Sequence, residues 1–120
     1  MERDPGDIID RGSIAKLKSE RISVMEEWEA FSVEIEILEE NYPELPIKNL
    51  FDLIYKINAM IWDLEADMRQ GKLDGALSEV GRRAIAIREH NNLRVQVKNI
   101  INSLTKQGFQ DIKKAHISET

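Results

Sequence analysis

The sequence predicts an all-α protein, an antiparallel bundle of three long helices that a second copy of the chain completes. Two observations carry this prediction. Apolar residues recur at three- and four-residue spacing along three stretches of the chain. Helix-breaking residues gather in two short segments between those stretches, at 41–46 and 70–75. Long helices joined by short turns pack antiparallel, so residues 1–120 are expected to form a single domain.

The first helix is predicted at about 7–41. Its outer surface is rich in glutamate, and Pro43 and Pro46 end it because each ring removes a donor and restricts the preceding residue. Its apolar stripe is close to a heptad pattern and consists of Ile14, Leu17, Val24, Trp28, Phe31, Ile35 and Leu38.

The second helix is predicted at about 47–70, with a main apolar stripe of Leu50, Ile54, Ile57, Ile61, Leu64 and Met68. A second row lies off that stripe and consists of Tyr55, Ala59, Trp62 and Ala66. Three helices alone would leave this row poorly covered. We therefore expect a homodimer with coiled-coil character.

The third helix is predicted at about 74–106, and the tail at 108–120 is expected to fray. One of its faces begins apolar and then turns polar: Leu73, Leu77, Val80, Ala84 and Ile87 are followed by Asn91, Arg94, Lys98 and Asn102. The apolar positions move round to Leu93, Val97, Ile100 and Leu104. We call the four polar residues the donor stripe. It predicts either an acidic protein surface or an anionic ligand on that side.

Two further sets of polar residues lie on or beside the apolar stripes of the predicted helices. Asp10, Lys18 and Arg21 continue the apolar line of the first helix, where an unpaired buried charge is costly. Asp63, Glu65 and Arg69 belong to the acidic segment WDLEADMR. Asp63 and Asp67 are four residues apart and could hold Mg²⁺, although such a pair is equally typical of solvated helix surface. No other cofactor and no metal ligand set is predicted.

Helix geometry limits how these sets can combine. In a simple antiparallel hairpin, Arg21 is level with WDLEADMR, whereas Arg94 and Lys98 lie about 20 Å or more away. The three sets then cannot form one site. They converge only in an antiparallel dimer, or if the third helix bends near residues 90–92.

Composition excludes several classes of function. The chain has no cysteine, which removes disulfides, thiol catalysis and zinc–thiolate sites. Its two histidines, His90 and His116, are far apart, and no apolar run reaches the length of a membrane span. The first residues contain no hydrophobic region of a secretory signal. We expect a soluble cytoplasmic protein.

Charge is unevenly distributed. Residues 1–81 carry nine Lys or Arg and 19 Asp or Glu, a net of −10, and residues 82–120 carry eight and three, a net of +5. The basic part is itself an amphipathic helix, and acidic helices of the same chain can neutralise it. An acidic chain repels a phosphate backbone, so nucleic-acid binding is not favoured.

Three segments resemble a small uncharacterised family of all-helical bacterial and phage proteins: GDIIDRGSIAKLKSERI at 6–22, INAMIWDLEADMR at 57–69 and EHNNLRVQVKNIIN at 89–102. The matching positions are Gly6, Asp10, Ile14, Lys18, Arg21, Asn58, Trp62, Asp63, Glu65, Arg69, Asn91, Arg94, Lys98 and Asn102. The tail segment DIKK resembles the end of that family's sequence.

The chain departs from the family pattern at Asp7, Arg11, Ala66 and Asn92, where the family has Glu, Lys, Asp and Asp. Loss of the acidic residue at 66 weakens a metal site. The resemblance implies a role near glycan assembly, because members lie beside sugar-transfer genes. It implies no particular activity.

Two functions follow from these patterns. The first is a non-enzymatic oligomer that acts by binding a protein partner, since no catalytic motif or phosphate-binding glycine loop is visible. The second is a binding domain or enzyme for an anionic small molecule, either phosphorylated or a nucleotide sugar. A metal-dependent nucleotide pyrophosphatase needs paired acidic motifs, and Glu36 and Glu39 supply only the first of them. The predicted ligand-binding residues are Asp10, Lys18, Arg21, Asp63, Glu65, Arg69, Asn91, Arg94, Lys98 and Asn102.

Overall fold

A computed structural model describes residues 3–106, and these form four helices without a strand. The helices are α1 (Pro5–Arg21), α2 (Glu26–Asn41), α3 (Ile47–Arg69) and α4 (Leu77–Thr105). The predicted all-α class is confirmed, but the predicted number of helices is wrong. The tail at 108–120 lies outside the described residues. No helix within residues 3–106 combines the length and the apolar content that a membrane crossing requires.

The predicted first helix is two helices, because the chain turns at residues 22–25. Ser23 has a φ of 60°, a left-handed conformation that few residues other than glycine adopt. The backbone N–H groups of Ile22 and Val24 both donate to the Lys18 carbonyl, at 2.9 and 3.3 Å. No proline or glycine marks this turn in the sequence, so periodicity alone predicted a continuous helix. The turn folds α2 back along α1.

The other two helices lie close to their predicted bounds. Pro46 directly precedes α3, where a missing backbone donor costs no helical hydrogen bond. α4 begins three residues later than predicted because Gly71 and Gly75, with φ values of 75° and 86°, turn the chain between the two helices. The backbone N–H of Ala76 donates to the Leu73 carbonyl at 2.9 Å and closes this connection.

α1 packs against all three other helices and is the centre of the fold. Its buried surface includes the small residues Gly6, Gly12, Ser13 and Ala15, which allow neighbouring helices to approach closely. The apolar core around it is formed by buried side chains from every helix: Ile9, Ile35, Leu38, Ile47, Phe51, Ile54, Ile57, Ile61, Val97 and Ile101. Burial of these aliphatic side chains is the main stabilising contribution to the fold.

The second row on α3, which suggested the dimer interface, is partly covered by the same chain. Tyr55 stacks on Phe51 with ring centroids 6.4 Å apart, and its hydroxyl donates to the Glu20 carboxylate of α1. That hydrogen bond raises the pKa of Tyr55 above the usual value for a phenol. Trp62 is half-buried beneath the Arg69 guanidinium, which lies 5.3 Å from its ring centroid. This row is therefore partly buried within the chain itself.

Candidate functional site

The polar residues of three helices meet at Asp10, a carboxylate that is only 4 % exposed. Its Oδ1 accepts a hydrogen bond from the Asn58 side-chain amide of α3 at 2.9 Å. The same amide donates to the Ser13 hydroxyl at 2.7 Å, and that hydroxyl donates to the Asp10 carbonyl at 2.7 Å. We call Asp10, Ser13, Asn58 and the two α4 cations that contact Asp10 the polar junction.

Those cations are Arg94 and Lys98 of the donor stripe. Arg94 Nη1 lies 3.7 Å and Lys98 Nζ 3.5 Å from Oδ2 of Asp10. Lys98 Nζ also lies 3.7 Å from Oδ1 of Asp7, one turn earlier on α1. The polar half of α4 thus faces the carboxylates of α1, which is the acidic surface that the change of face predicted. An ion pair inside a helix interface stabilises it only when the remaining donors and acceptors are also satisfied.

Asn102 closes the junction at the start of α1. Its side-chain oxygen accepts a hydrogen bond from the backbone N–H of Gly6 at 2.7 Å. That N–H belongs to the first turn of α1 and has no partner within its own helix. A Cβ at residue 6 would lie 2.7 Å from the Lys98 carbonyl oxygen. The close contact therefore requires glycine at this position.

Arg21 and Lys18 belong to a second group, at the other end of α1. Arg21 Nη1 lies 2.5 Å from Oδ1 of Asp63, as the antiparallel arrangement predicts. Lys18 Nζ lies 3.3 Å from Oε1 of Glu27 on α2. Asp10 and Arg21 are about 16 Å apart along α1. The polar residues of α4 therefore contact α1 near its start, and the acidic segment of α3 contacts it near its end. The Arg21 and Lys18 pairs are solvent-exposed, and such pairs add little stability.

The remaining predicted residues take part in neither group. Glu65 and Arg69 pair with each other at 3.2 Å within α3. Asn91 is half-buried on α4, about one turn before Arg94. Asp67 lies 3.3 Å from Arg83 and 3.8 Å from Lys72 rather than beside Asp63 in a metal site. Among residues 3–106, no group of three His, Asp or Glu side chains is placed to hold a metal ion.

Ser13, Asp7 and Asn58 were missing from the predicted site, although each completes a contact within it. Asn58 directly follows Ile57 in the sequence and lies between Ile54 and Ile61 on the buried side of α3. A lone amide among such neighbours is a signal for a buried hydrogen-bond partner. Ser13 lies in a helix interior next to a glycine, and nothing in its spacing distinguishes it from a surface serine. Asp7 continues the apolar stripe of the first helix towards its start, as Asp10 does, but its contact with Lys98 is not predicted from the sequence.

A cleft of 560 Å³ opens beside the polar junction, between α1, α2 and α4. Asp10, Lys18, Arg94 and Lys98 line it together with the aromatic ring of Phe31. Its size falls within the range of small-molecule sites. Four of the ten predicted ligand-binding residues therefore share one cavity, and the other six lie outside its lining.

Searches of protein-family models, curated proteins and solved structures give no match to the chain. The family resemblance therefore stays a prediction.

Proposed function

We propose that the protein is a non-enzymatic helical module that pairs with a second copy of itself through one face of α3 and α4. This face, which we call the apolar face, consists of Leu53, Met60, Leu93, Ile100 and Leu104. Their exposed fractions run from 36 % at Leu104 to 53 % at Ile100. Contiguous exposed apolar residues of this kind are typical of interaction surfaces.

The outer surface of α4 from residue 90 to residue 105 supports the proposal most strongly. Arg94 and Lys98 are the only Asp, Glu, Lys or Arg residues in that segment, and both turn inward to Asp10. Four helical turns are therefore left without a charge on their outer surface, in a chain of which 32 % is charged. Depletion of charge is a mark of an interface core.

The spacing of this surface fits a helical partner. Leu93, Val97, Ile100 and Leu104 follow the four–three–four spacing of a heptad seam, with Val97 buried and the others exposed. Ile100 lies about 120° round α4 from Arg94, on the side turned away from α1. Met60 of α3 lines a shallow groove together with Ala86 and His90 of α4, and the charged side chains of Asp63, Asp67, Glu79 and Arg83 line the same groove.

A second copy is the partner that this surface fits best. The α4 part of this face carries no charge that would repel its own copy, and a twofold axis lets the same seam meet its own copy. A strongly charged partner would find no complementary charge there. Pairing on this side leaves the cleft beside Asp10 open.

Light scattering of the wild-type chain and of Ile100→Glu tests this proposal. We expect the wild type to have twice the mass of the chain and Ile100→Glu to have the mass of a monomer, because the carboxylate would be desolvated in the interface. Val33→Glu is the matched control, since Val33 is 55 % exposed but lies on α2. A wild-type monomer, or equal dissociation of both variants, would contradict the proposal.

A further inference from the structure

The cleft beside Asp10 holds more positive charge than its own carboxylates neutralise. Five cationic side chains and three carboxylates line it, a net of +2, in a chain whose net charge is −5. Lys18 and Glu27 pair with each other and cancel. What remains is Arg3, Arg11, Arg94 and Lys98 around two carboxylates, Asp7 and Asp10.

The donors of Arg94 and Lys98 are not used up by these pairs. Their distances to Asp10, 3.7 and 3.5 Å, exceed the roughly 2.7–2.9 Å of a charge-assisted hydrogen bond. Arg94 Nε is buried and has no hydrogen-bond partner among the described residues. A buried donor without an acceptor is costly.

Asp10 positions these cations at the cleft. Its Oδ1 accepts from the Asn58 amide, which fixes the carboxylate within the helix interface. Its Oδ2 is the oxygen nearest to both cations and holds them on the cleft side of α4. Phe31 and Ile14 form an apolar part of the cleft wall, next to the charged part.

We propose that this cleft binds a phosphate monoester. The phosphate group, with a charge of about −2 at neutral pH, matches the two positive charges in excess and brings acceptors for Arg94 and Lys98. Its organic group packs against Phe31. Arg94 supplies the planar fork that suits phosphate oxygens, and Lys98 supplies a second point of charge. The cleft shares no lining residue with the apolar face, although both include residues of α4.

Isothermal titration calorimetry at constant ionic strength tests the site with three probes: phenyl phosphate, inorganic phosphate and benzoate. We expect phenyl phosphate to bind tightest and benzoate, which has the same ring but one charge, to bind at least about tenfold more weakly. Equal affinity for phenyl phosphate and inorganic phosphate would overturn the ester assignment. Equal affinity for benzoate would overturn the phosphate assignment.

Substitutions in the cleft test which side chains bind phenyl phosphate. Arg94→Ala and Lys98→Met should each weaken phenyl phosphate binding by about tenfold or more, as expected for the loss of a hydrogen bond to a charged group. Arg88→Ala, an exposed arginine of the same helix outside the cleft, should leave binding unchanged. Circular dichroism checks that each variant is folded, and Arg94→Lys, which keeps the charge, replaces Arg94→Ala if that variant unfolds. Unchanged binding in the folded cleft variants, or equal loss in Arg88→Ala, would refute the site.

Discussion

Replacing Asp10 with alanine is expected to lower the free energy of unfolding by about 2–3 kcal/mol, a large part of the 5–15 kcal/mol typical of a small domain. The change leaves the Asn58 amide with one acceptor fewer and removes the charge that Arg94 and Lys98 face. This loss of unfolding free energy is smaller than the largest losses caused by breaking buried ion pairs, because both cations are about a quarter exposed and water can solvate them.

Urea denaturation followed by circular dichroism measures this loss. Asp52→Ala is the control, since Asp52 is an exposed carboxylate on α3, and it should change stability by less than about 0.5 kcal/mol. Asp10→Asn keeps the acceptor for Asn58, and its free energy of unfolding should lie between those of Asp10→Ala and Asp52→Ala. Wild-type stability in Asp10→Ala would mean that the polar junction does not hold the helices together.

Two glycine-to-alanine changes are expected to act in opposite directions. Gly6→Ala places a Cβ 2.7 Å from the Lys98 backbone oxygen and 2.8 Å from Oδ1 of Asn102. The oxygen of Lys98 belongs to the backbone of α4, so one helix must move, and we expect a loss of about 1–3 kcal/mol. Gly81→Ala, in the interior of α4, meets no atom within 4 Å. There alanine should add about 0.5–1 kcal/mol, because it favours the helix.

The same denaturation series measures both glycine variants, each compared with the wild type. Because the two changes are chemically identical, the difference in sign reports the contact between α1 and α4 and nothing else. If Gly6→Ala were as stable as Gly81→Ala, the first turn of α1 would not lie against Lys98.

The sequence predicts most of this fold because helix periodicity and proline are strong local signals. α3 begins at Ile47, directly after Pro46, as predicted. The turn that separates α1 from α2 has a positive φ at Ser23, and no glycine, asparagine or proline marks it in the sequence. Periodicity continues across such a turn, and a single helix was therefore predicted where two exist.

Spacing in the sequence identifies individual residues of the polar junction but not the contacts between them. The donor stripe identified Arg94 and Lys98 because charged residues interrupted an apolar face. Their partner Asp10 was recognised as out of place, but pairing between distant helices depends on how the helices pack, which spacing does not encode. Asn58 and Ser13 are short polar residues among apolar neighbours, and only the three-dimensional arrangement shows that they bond to each other and to Asp10.

Arg94, Lys98 and Asn102 of α4 recognise α1 within the same chain. A double-mutant cycle with Asp10→Asn and Lys98→Met measures that recognition directly, from the unfolding free energies of the wild type, both single variants and the double variant. We predict a favourable coupling energy of about 1 kcal/mol or more, as for residues in one ion-pair network. Additivity within about 0.3–0.5 kcal/mol would show that the two side chains act independently and would contradict the claim.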